Sequence, residues 1–443
     1  MRVSESIRRV CDVGMAVLAR LLVRVFFRSI EVQYPENLPD SGPVVLVANH
    51  HNGLVDGLLL MATLGRYPRF LGKSTLFRVP PLWPFLKLAG AIPVYRAMDG
   101  VSGDHNAAAF SMCRKILSHG DMVALFPEGI SHDESSLQPL KTGAARIALE
   151  AGAEGGVEGV VLIAVGLTYD AKARFRSRAL VRVAEPMQIT TWQQPYQHDG
   201  HMAVRQLTEE VTHRLETVSP SYSSWAQANL VTRMAEVMNR HPEAALPTEV
   251  TMADRADMAE LLFRGGEETL SDECNATFAL YERDLELLGL SDAQVAATYP
   301  RARLRLSLMW SMAKIVVALP LAVIGFAVHL VPFQIVRRLA QKPTNEGIKA
   351  TVKLLGCTVF FFIVYVVGGV IVGEESGAWA GLVVATGAPA CGYVWVRLLE
   401  RVKGVGGVLE GYRALSGRRA LLDSVASDRS HFVQAATRAL ETR

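Results

Sequence analysis

The sequence predicts an α/β domain with a mostly parallel central sheet flanked by helices, then a helical appendage, then C-terminal membrane helices. Three observations carry that expectation. Short apolar, β-branched runs recur at Val44–Val47, Ala91–Tyr95, Met122–Phe126, Val160–Val165 and Ala179–Val183, separated by helical stretches such as Asn106–Ser118 and Gly143–Ala151. Strands that alternate with helices pack as a parallel sheet with helices around it. Beyond residue 190 the apolar runs give way to polar, charged stretches of helical period, and past residue 305 three long apolar runs follow.

The elements follow in order. Residues 6–29 read as one helix: Arg20, Arg24 and Arg28 share a face by their spacing of four, and Val17, Leu18, Leu21, Leu22, Val25 and Phe26 fill the other side. A basic stripe beside a Leu/Phe stripe suits a helix lying in the headgroup layer, so residues 1–29 are expected to form an amphipathic membrane-surface segment. Residues 30–190 form the α/β domain. Residues 191–305, with helical stretches at Met202–Val218, Ser224–Asn239 and Asp254–Phe263 and breaks at Pro220 and Pro247, form the appendage.

Residues 306–400 form the membrane region. The runs Ile315–Phe333, Leu354–Val372 and Trp379–Val396 each approach the ~20 residues that cross a bilayer. Cations at 337, 338, 342, 349 and 353 precede the second run, Glu374 and Glu375 follow it, and Arg397, Arg401 and Lys403 follow the third. That pattern predicts a hairpin with both ends in the cytoplasm. The first run has cations on both flanks and contains Pro320 and Pro332. It is expected to be a re-entrant or surface-lying element, or a helix packed on the hairpin. Residues 401–443 read as a cytoplasmic helical tail.

Composition narrows the function. Half of the 443 residues are hydrophobic, high for a soluble protein, and the net charge of +3 implies no field for nucleic acid. Five scattered cysteines argue against a disulfide framework or a zinc site and fit a reducing compartment. The basic start lacks a small-residue cleavage site and is broken by arginines, so no cleavable signal is expected.

Four polar blocks sit at predicted strand ends, where open α/β sheets bind ligands. The first is Ala48-Asn49-His50-His51-Asn52-Gly53-Leu54-Val55-Asp56-Gly57. The second runs from Lys73 to Arg96 and ends in GAIPVYR. The third is Phe126–Asp133 (FPEGISHD), followed by LKTGAAR at 140–146. The fourth is VGLTYD at 165–170. A histidine between a strand and a helix is suited to general-base work, because imidazole titrates near ~6.5. The plain alternative is a polar turn capped by Asn52. Adjacent histidines rarely aim at one ion and no fourth ligand stands out, so no metal is expected. His132 and Asp133 read as loop or helix-cap residues.

These blocks, in this order, resemble the glycerolipid acyltransferase superfamily over roughly residues 30–190. His50 and Asp56 resemble its His–Asp pair. Gly90, Ile92, Pro93, Val94 and Arg96 resemble its second block, Phe126-Pro127-Glu128-Gly129 its third, and Val165-Gly166-Leu167 its fourth. The usual His-x4-Asp spacing would select His51. Asn49 and Asn52 instead align His50, leaving His-x5-Asp, a spacing similar to that of the glycerol-3-phosphate and dihydroxyacetone-phosphate acyltransferases.

The resemblance implies a membrane-bound O-acyltransferase, with acyl-CoA or acyl carrier protein as co-substrate and no cofactor. The acceptor would be glycerol-3-phosphate, dihydroxyacetone phosphate or 1-acylglycerol-3-phosphate. His50 would be the base, with His51 the alternative, and Asp56 would hold its tautomer. Arg96, with Lys73, Lys141 and Arg146, would grip phosphate. Glu128 would bind an acceptor hydroxyl or order those cations, and Gly129 would let backbone approach substrate. Membrane lipids are the expected surroundings, with the catalytic domain on the cytoplasmic side. The rival readings are a non-catalytic lipid-binding or scaffold protein that kept the fold, and an enzyme that remodels other lysophospholipids.

Overall fold

The computed structural model describes residues 2–79, 82–95, 106–154, 156–263, 272–342, 346–416 and 419–441. The chain forms two compact units. The first takes in Met1–Ser224 and Leu339–Gly356, and the second takes in Trp225–Arg338 and Cys357–Arg443.

The first unit begins with α1 (Arg2–Phe26), β1 (Phe27–Gln33), β2 (Val44–Ala48), α2 (Leu54–Thr63), β3 (Pro68–Lys73), α3 (Trp83–Leu88) and β4 (Ile92–Val94). It continues with α4 (Ala107–Ser118), β5 (Met122–Leu125), α5 (Gly143–Leu149), β6 (Val161–Tyr169), β7 (Ser177–Val183), β8 (Met187–Gln188), α6 (Gln193–His198) and α7 (Gly200–Val218). The strands form one sheet in the order β1-β7-β6-β2-β5-β3-β4, with β8 paired to β6. Strands β6, β2, β5, β3 and β4 are mutually parallel, while β7 runs antiparallel to β6 and carries β1 parallel beside it. The mostly parallel sheet with flanking helices is therefore as the sequence predicts.

Both faces of the sheet are covered, and β2 shows how. Val45 and Val47 pack with α4, α5 and α7 on one face; Val44, Leu46 and Ala48 pack with α1 and α2 on the other. Period-two alternation with both faces buried is why the strand reads as an unbroken apolar run.

Three differences from the sequence expectation have local causes. The first helix stops at Phe26, and Arg28 lies in edge strand β1 rather than on the helix. Strand β3 is invisible as an apolar run because it contains Arg69, which is buried and paired with Asp12 of α1 (2.5 Å). Helix α7 belongs to the α/β unit and not to the appendage: Ala203, Leu207, Val211, Leu215 and Val218 are buried against the sheet. Its last residue sets a steric limit. A Cβ at Gly166, in the middle of β6, would lie 2.0 Å from the Val218 carbonyl oxygen, so only glycine lets α7 close on the strand.

The second unit holds α8 (Trp225–Asn239), α9 (Met252–Phe263), α10 (Asp272–Leu288), α11 (Asp292–Val295), α12 (Arg301–Leu339), α13 (Glu346–Ser376), α14 (Ala378–Leu415) and α15 (Arg419–Glu441); α13 enters it at Cys357. Asp292 ties four of these together, accepting from Arg240 of the α8 end, Tyr281 of α10 and Arg429 of α15. Helices α12, α13 and α14 are each long and apolar enough to cross a membrane. Helix α12 runs unbroken through Pro320 and Pro332. Helix α12 also packs against α14, and α13 against α14. Gly325 of α12 meets the backbone of Cys391 in α14, Phe326 lies on Trp395, and Gly369 of α13 meets Gly381 of α14. Small residues at such crossings let helix backbones approach closely.

Candidate active site

The parallel strands β2, β5 and β6 present their carboxyl ends on one edge of the sheet, and the polar blocks converge there. The turn after β2 is fixed by Asn49. Its Nδ2 donates to the Leu167 carbonyl (3.0 Å) and to Ser219 Oγ (3.0 Å), and its Oδ1 accepts from the Leu167 amide (2.7 Å). That exchange explains why the Val165-Gly166-Leu167 block stands opposite the histidine block.

Asp56 lies in the first turn of α2 and is fully buried. Its Oδ2 is 2.9 Å from His50 Nδ1 and accepts from the Asn52 amide (2.7 Å); its Oδ1 accepts from the Tyr169 hydroxyl (2.5 Å). Burial pushes the Tyr169 phenol well above its usual range, and the Asp56 charge adds to that, so Tyr169 remains a donor. A carboxylate with these partners keeps the proton on His50 Nδ1 and leaves the Nε2 lone pair available. Among the described residues, nothing bonds Nε2. The His50 ring stacks on Phe126 (4.1 Å between centroids, 11° between planes), with Phe70 stacked beyond it.

Glu128 follows β5 and is buried. Its Oε1 accepts from the His50 amide (2.6 Å), and its Oε2 accepts from the Gln138 amide (2.9 Å) and from His132 Nε2. Burial pushes this carboxyl up, but the hydrogen bonds from His132, Gln138 and His50 outweigh burial and hold it below its ordinary value. With three donors, Glu128 pins the backbone of His50. Gly129 makes the turn with φ +77°, and a Cβ there would meet the Lys141 side chain at 3.6 Å.

His132 is a part of the site that sequence reasoning left out as a cap or loop residue. Its ring is buried: Nε2 bonds Glu128, Nδ1 accepts from the Glu134 amide (3.2 Å), and its own amide donates to the His50 carbonyl (3.2 Å). The available signal was position, four residues beyond Glu128. Tyr169 was likewise present in the fourth block but not singled out.

The two neighbouring histidines separate cleanly. His51 turns edge-on to His132 (4.8 Å between centroids), and its buried Nδ1 has no hydrogen-bond partner among the described residues. Burial lowers its pKa to about 4, against the raising fields of Asp56 and Glu128, so the ring is neutral near pH 7. His50 alone of the two is bonded to Asp56.

The expected phosphate-binding cations are distributed unevenly. Lys73 is the last residue of β3, in register with Val94 of β4, on the same sheet edge. Lys141 is exposed beside Gly129. Arg146 is exposed on α5, paired with Glu150 (3.6 Å) and stacked over Phe110, and among the described residues no bond brings it to the cluster. Arg96 lies outside the described residues; the preceding Tyr95 is clasped by Asn106, which bonds both its amide and its carbonyl. Among the described residues no group of three or more His, Cys, Asp or Glu side chains is arranged to hold a metal.

A histidine bonded to a buried carboxylate at the carboxyl rim of a parallel sheet can take a proton from a substrate hydroxyl. Residues 29–168, which lie within the α/β unit, match the Acyltransferase family model. More particularly, the chain is similar to an uncharacterised acyltransferase of Schizosaccharomyces pombe (23% identity, covering 76% of this chain and 63% of that protein). It is similar to glycerol-3-phosphate O-acyltransferase 2 of Saccharomyces cerevisiae (29% identity, 53% of this chain and 32% of that protein). It is also similar to a chloroplastic 1-acyl-sn-glycerol-3-phosphate acyltransferase of Brassica napus (32% identity, 28% of this chain and 35% of that protein). The chain thus spans less than two thirds of the length of each of these relatives.

Proposed function

We propose that this protein transfers a fatty acyl group from acyl-CoA or acyl carrier protein to the hydroxyl of a phosphate-bearing glycerol acceptor in phospholipid biosynthesis. Glycerol-3-phosphate or dihydroxyacetone phosphate is the first choice of acceptor and 1-acylglycerol-3-phosphate the second. The observation that carries this reading is the His50–Asp56 pair with Nε2 left open. An alcohol is a poor nucleophile at neutral pH. His50 Nε2 takes the hydroxyl proton as the oxygen attacks the thioester carbonyl carbon. The carbon–sulfur bond then breaks, and the imidazolium returns its proton to the departing thiolate. Asp56 holds the tautomer and stabilises the imidazolium between the two steps. No covalent acyl-enzyme is required. Lys73, Lys141 and Arg96 are the cations assigned to the acceptor phosphate, Gly129 gives it backbone access, and Glu128 acts on the His50 backbone.

Two features support glycerol-3-phosphate as acceptor: the His-x5-Asp spacing, and a similarity to a protein named for that substrate that extends over 53% of the chain. The proposal places the protein in a membrane, with α1 at the surface and the catalytic unit facing the cytoplasm. Along α1, Ile7, Val10, Val13, Val17 and Leu21 form an exposed apolar stripe, while Ala19, Val23 and Phe26 are buried on the domain. The test is acyl transfer from labelled donor in purified membranes, run with each acceptor separately for wild type, His50→Ala, His51→Ala and Asp56→Ala. Acceptor-dependent transfer lost in His50→Ala and Asp56→Ala is the expected result. No transfer to any acceptor in wild type would favour a scaffold, and survival of activity in His50→Ala but not His51→Ala would move the base to His51.

A further inference from the structure

The first turns of α13 are built into the catalytic unit, although residues 225–338 separate them from it in sequence. Ala350 and Leu354 are buried in the apolar cluster that contains Val55, Leu59 and Leu167. Between them, two polar side chains reach the site's supports. Thr351 Oγ1 accepts from the amide of Leu54 (3.4 Å), the first residue of α2. First-turn amides have no partner inside their own helix, and Asp56 sits two residues further along that turn. Lys353 Nζ donates to the carbonyl of Ala173 (2.5 Å). The adjoining Lys172 accepts from Asn52 Nδ2 (2.9 Å) and donates to the His132 carbonyl (3.0 Å). Asn52 in turn donates its amide to Asp56. Both contacts therefore end on the segments that aim Asp56 at His50.

We infer that Thr351 and Lys353 are positioning residues for the His50–Asp56 pair, supplied from outside the segment of residues 29–168 that defines the family. The inference rests on the proposed general-base reading for its effect on rate, but the clamp has its own readout. A base displaced by a fraction of an ångström loses rate without losing substrate, and displacements near 1 Å cost up to ~10²-fold.

The experiment uses the full chain in nanodiscs of phosphatidylethanolamine and phosphatidylglycerol. It compares Thr351→Val, which keeps shape but removes the hydroxyl, Thr351→Ser, which restores it, and Lys353→Met. Turnover gives kcat and the donor KM. Hydrogen–deuterium exchange is followed in peptides covering residues 52–60 and 170–176, with residues 143–149 of α5 as control. The expected result for Thr351→Val and Lys353→Met is kcat lowered about tenfold with KM within about twofold, and exchange raised roughly threefold or more in the two site peptides only. Thr351→Ser stays close to wild type. Unchanged exchange in both site peptides overturns the inference, whatever turnover does. So does faster exchange with kcat unchanged, and so does an equal rise in the control peptide. A local rise in exchange in the two variants, beside a wild type that turns over no acceptor, supports the clamp and removes the acyl-transfer reading instead.

Discussion

The site contains two histidine–carboxylate pairs built from the same chemistry, and they differ in how many ring nitrogens are engaged. In the pair of His132 and Glu128, both ring nitrogens are occupied, one by the carboxylate and one by the Glu134 amide, and the carboxylate takes two further amides. Nothing in that pair is left to react. In the pair of His50 and Asp56, the carboxylate is equally saturated, but the histidine keeps one nitrogen open. Under the proposed general-base reading, that open nitrogen makes His50 the base, and the fully engaged His132 is its brace. The brace also acts on the base: Glu128 holds the His50 amide, and the His132 amide holds the His50 carbonyl.

Breaking each pair in turn sharpens that contrast. His50→Ala is expected to lower kcat by ~10²–10⁴-fold with the unfolding midpoint almost unchanged, because a single general base typically contributes that much. Steady-state kinetics beside thermal unfolding measure both quantities. Tyr169→Phe removes one donor from the Asp56 carboxylate and leaves it less well held; a loss of about tenfold in kcat is expected, with the donor KM unmoved. Glu128→Gln should show the opposite balance to His50→Ala. It turns an acceptor into a donor against buried amides and is expected to cost ~1–3 kcal/mol of stability, read by denaturant unfolding.

The last contrast is in pH. Glu128 is held below its ordinary value, so its contribution is complete above about pH 4.5, the unfolded value, and is lost as pH falls through the lower folded value. His51 acts in a higher window. Its folded pKa is about 4 against 6.5 unfolded, so the unfolded chain binds a proton that the folded chain refuses, and stability falls as pH drops from 6.5 towards 4. The total is ~3 kcal/mol at most. His51→Gln should flatten the unfolding midpoint between pH 6.5 and 4, whereas Glu128→Gln should flatten it only below about 4.5; unfolding scans across pH separate the two.

Much of the sheet and the heart of the site can be read from the sequence, for one reason. His50, Asp56 and Glu128 belong to short blocks that directly follow β2 and β5, and neighbouring parallel strands bring such blocks together without further information. What could not be read depends on distant partners. Arg69 makes β3 look polar until Asp12 of α1 neutralises it. His132 looks like a cap until Glu128, itself committed to the His50 amide, claims its ring. Helix α7 carries an ordinary amphipathic pattern that does not say which surface it covers; the bare Gly166 beneath Val218 does. Pro320 and Pro332 suggest a break, but α12 accommodates both. No local pattern announces that Ala350, Thr351 and Leu354 pack beside α2.

That last arrangement has a consequence for how the protein is made. The catalytic unit is assembled from chain on both sides of a 114-residue interval, residues 225–338. At ~5–20 residues per second, the ribosome needs on the order of ten seconds to cross that interval. The nascent sheet must wait through that delay with the surface that will receive Ala350 and Leu354 still bare, while the first long apolar helix has already emerged.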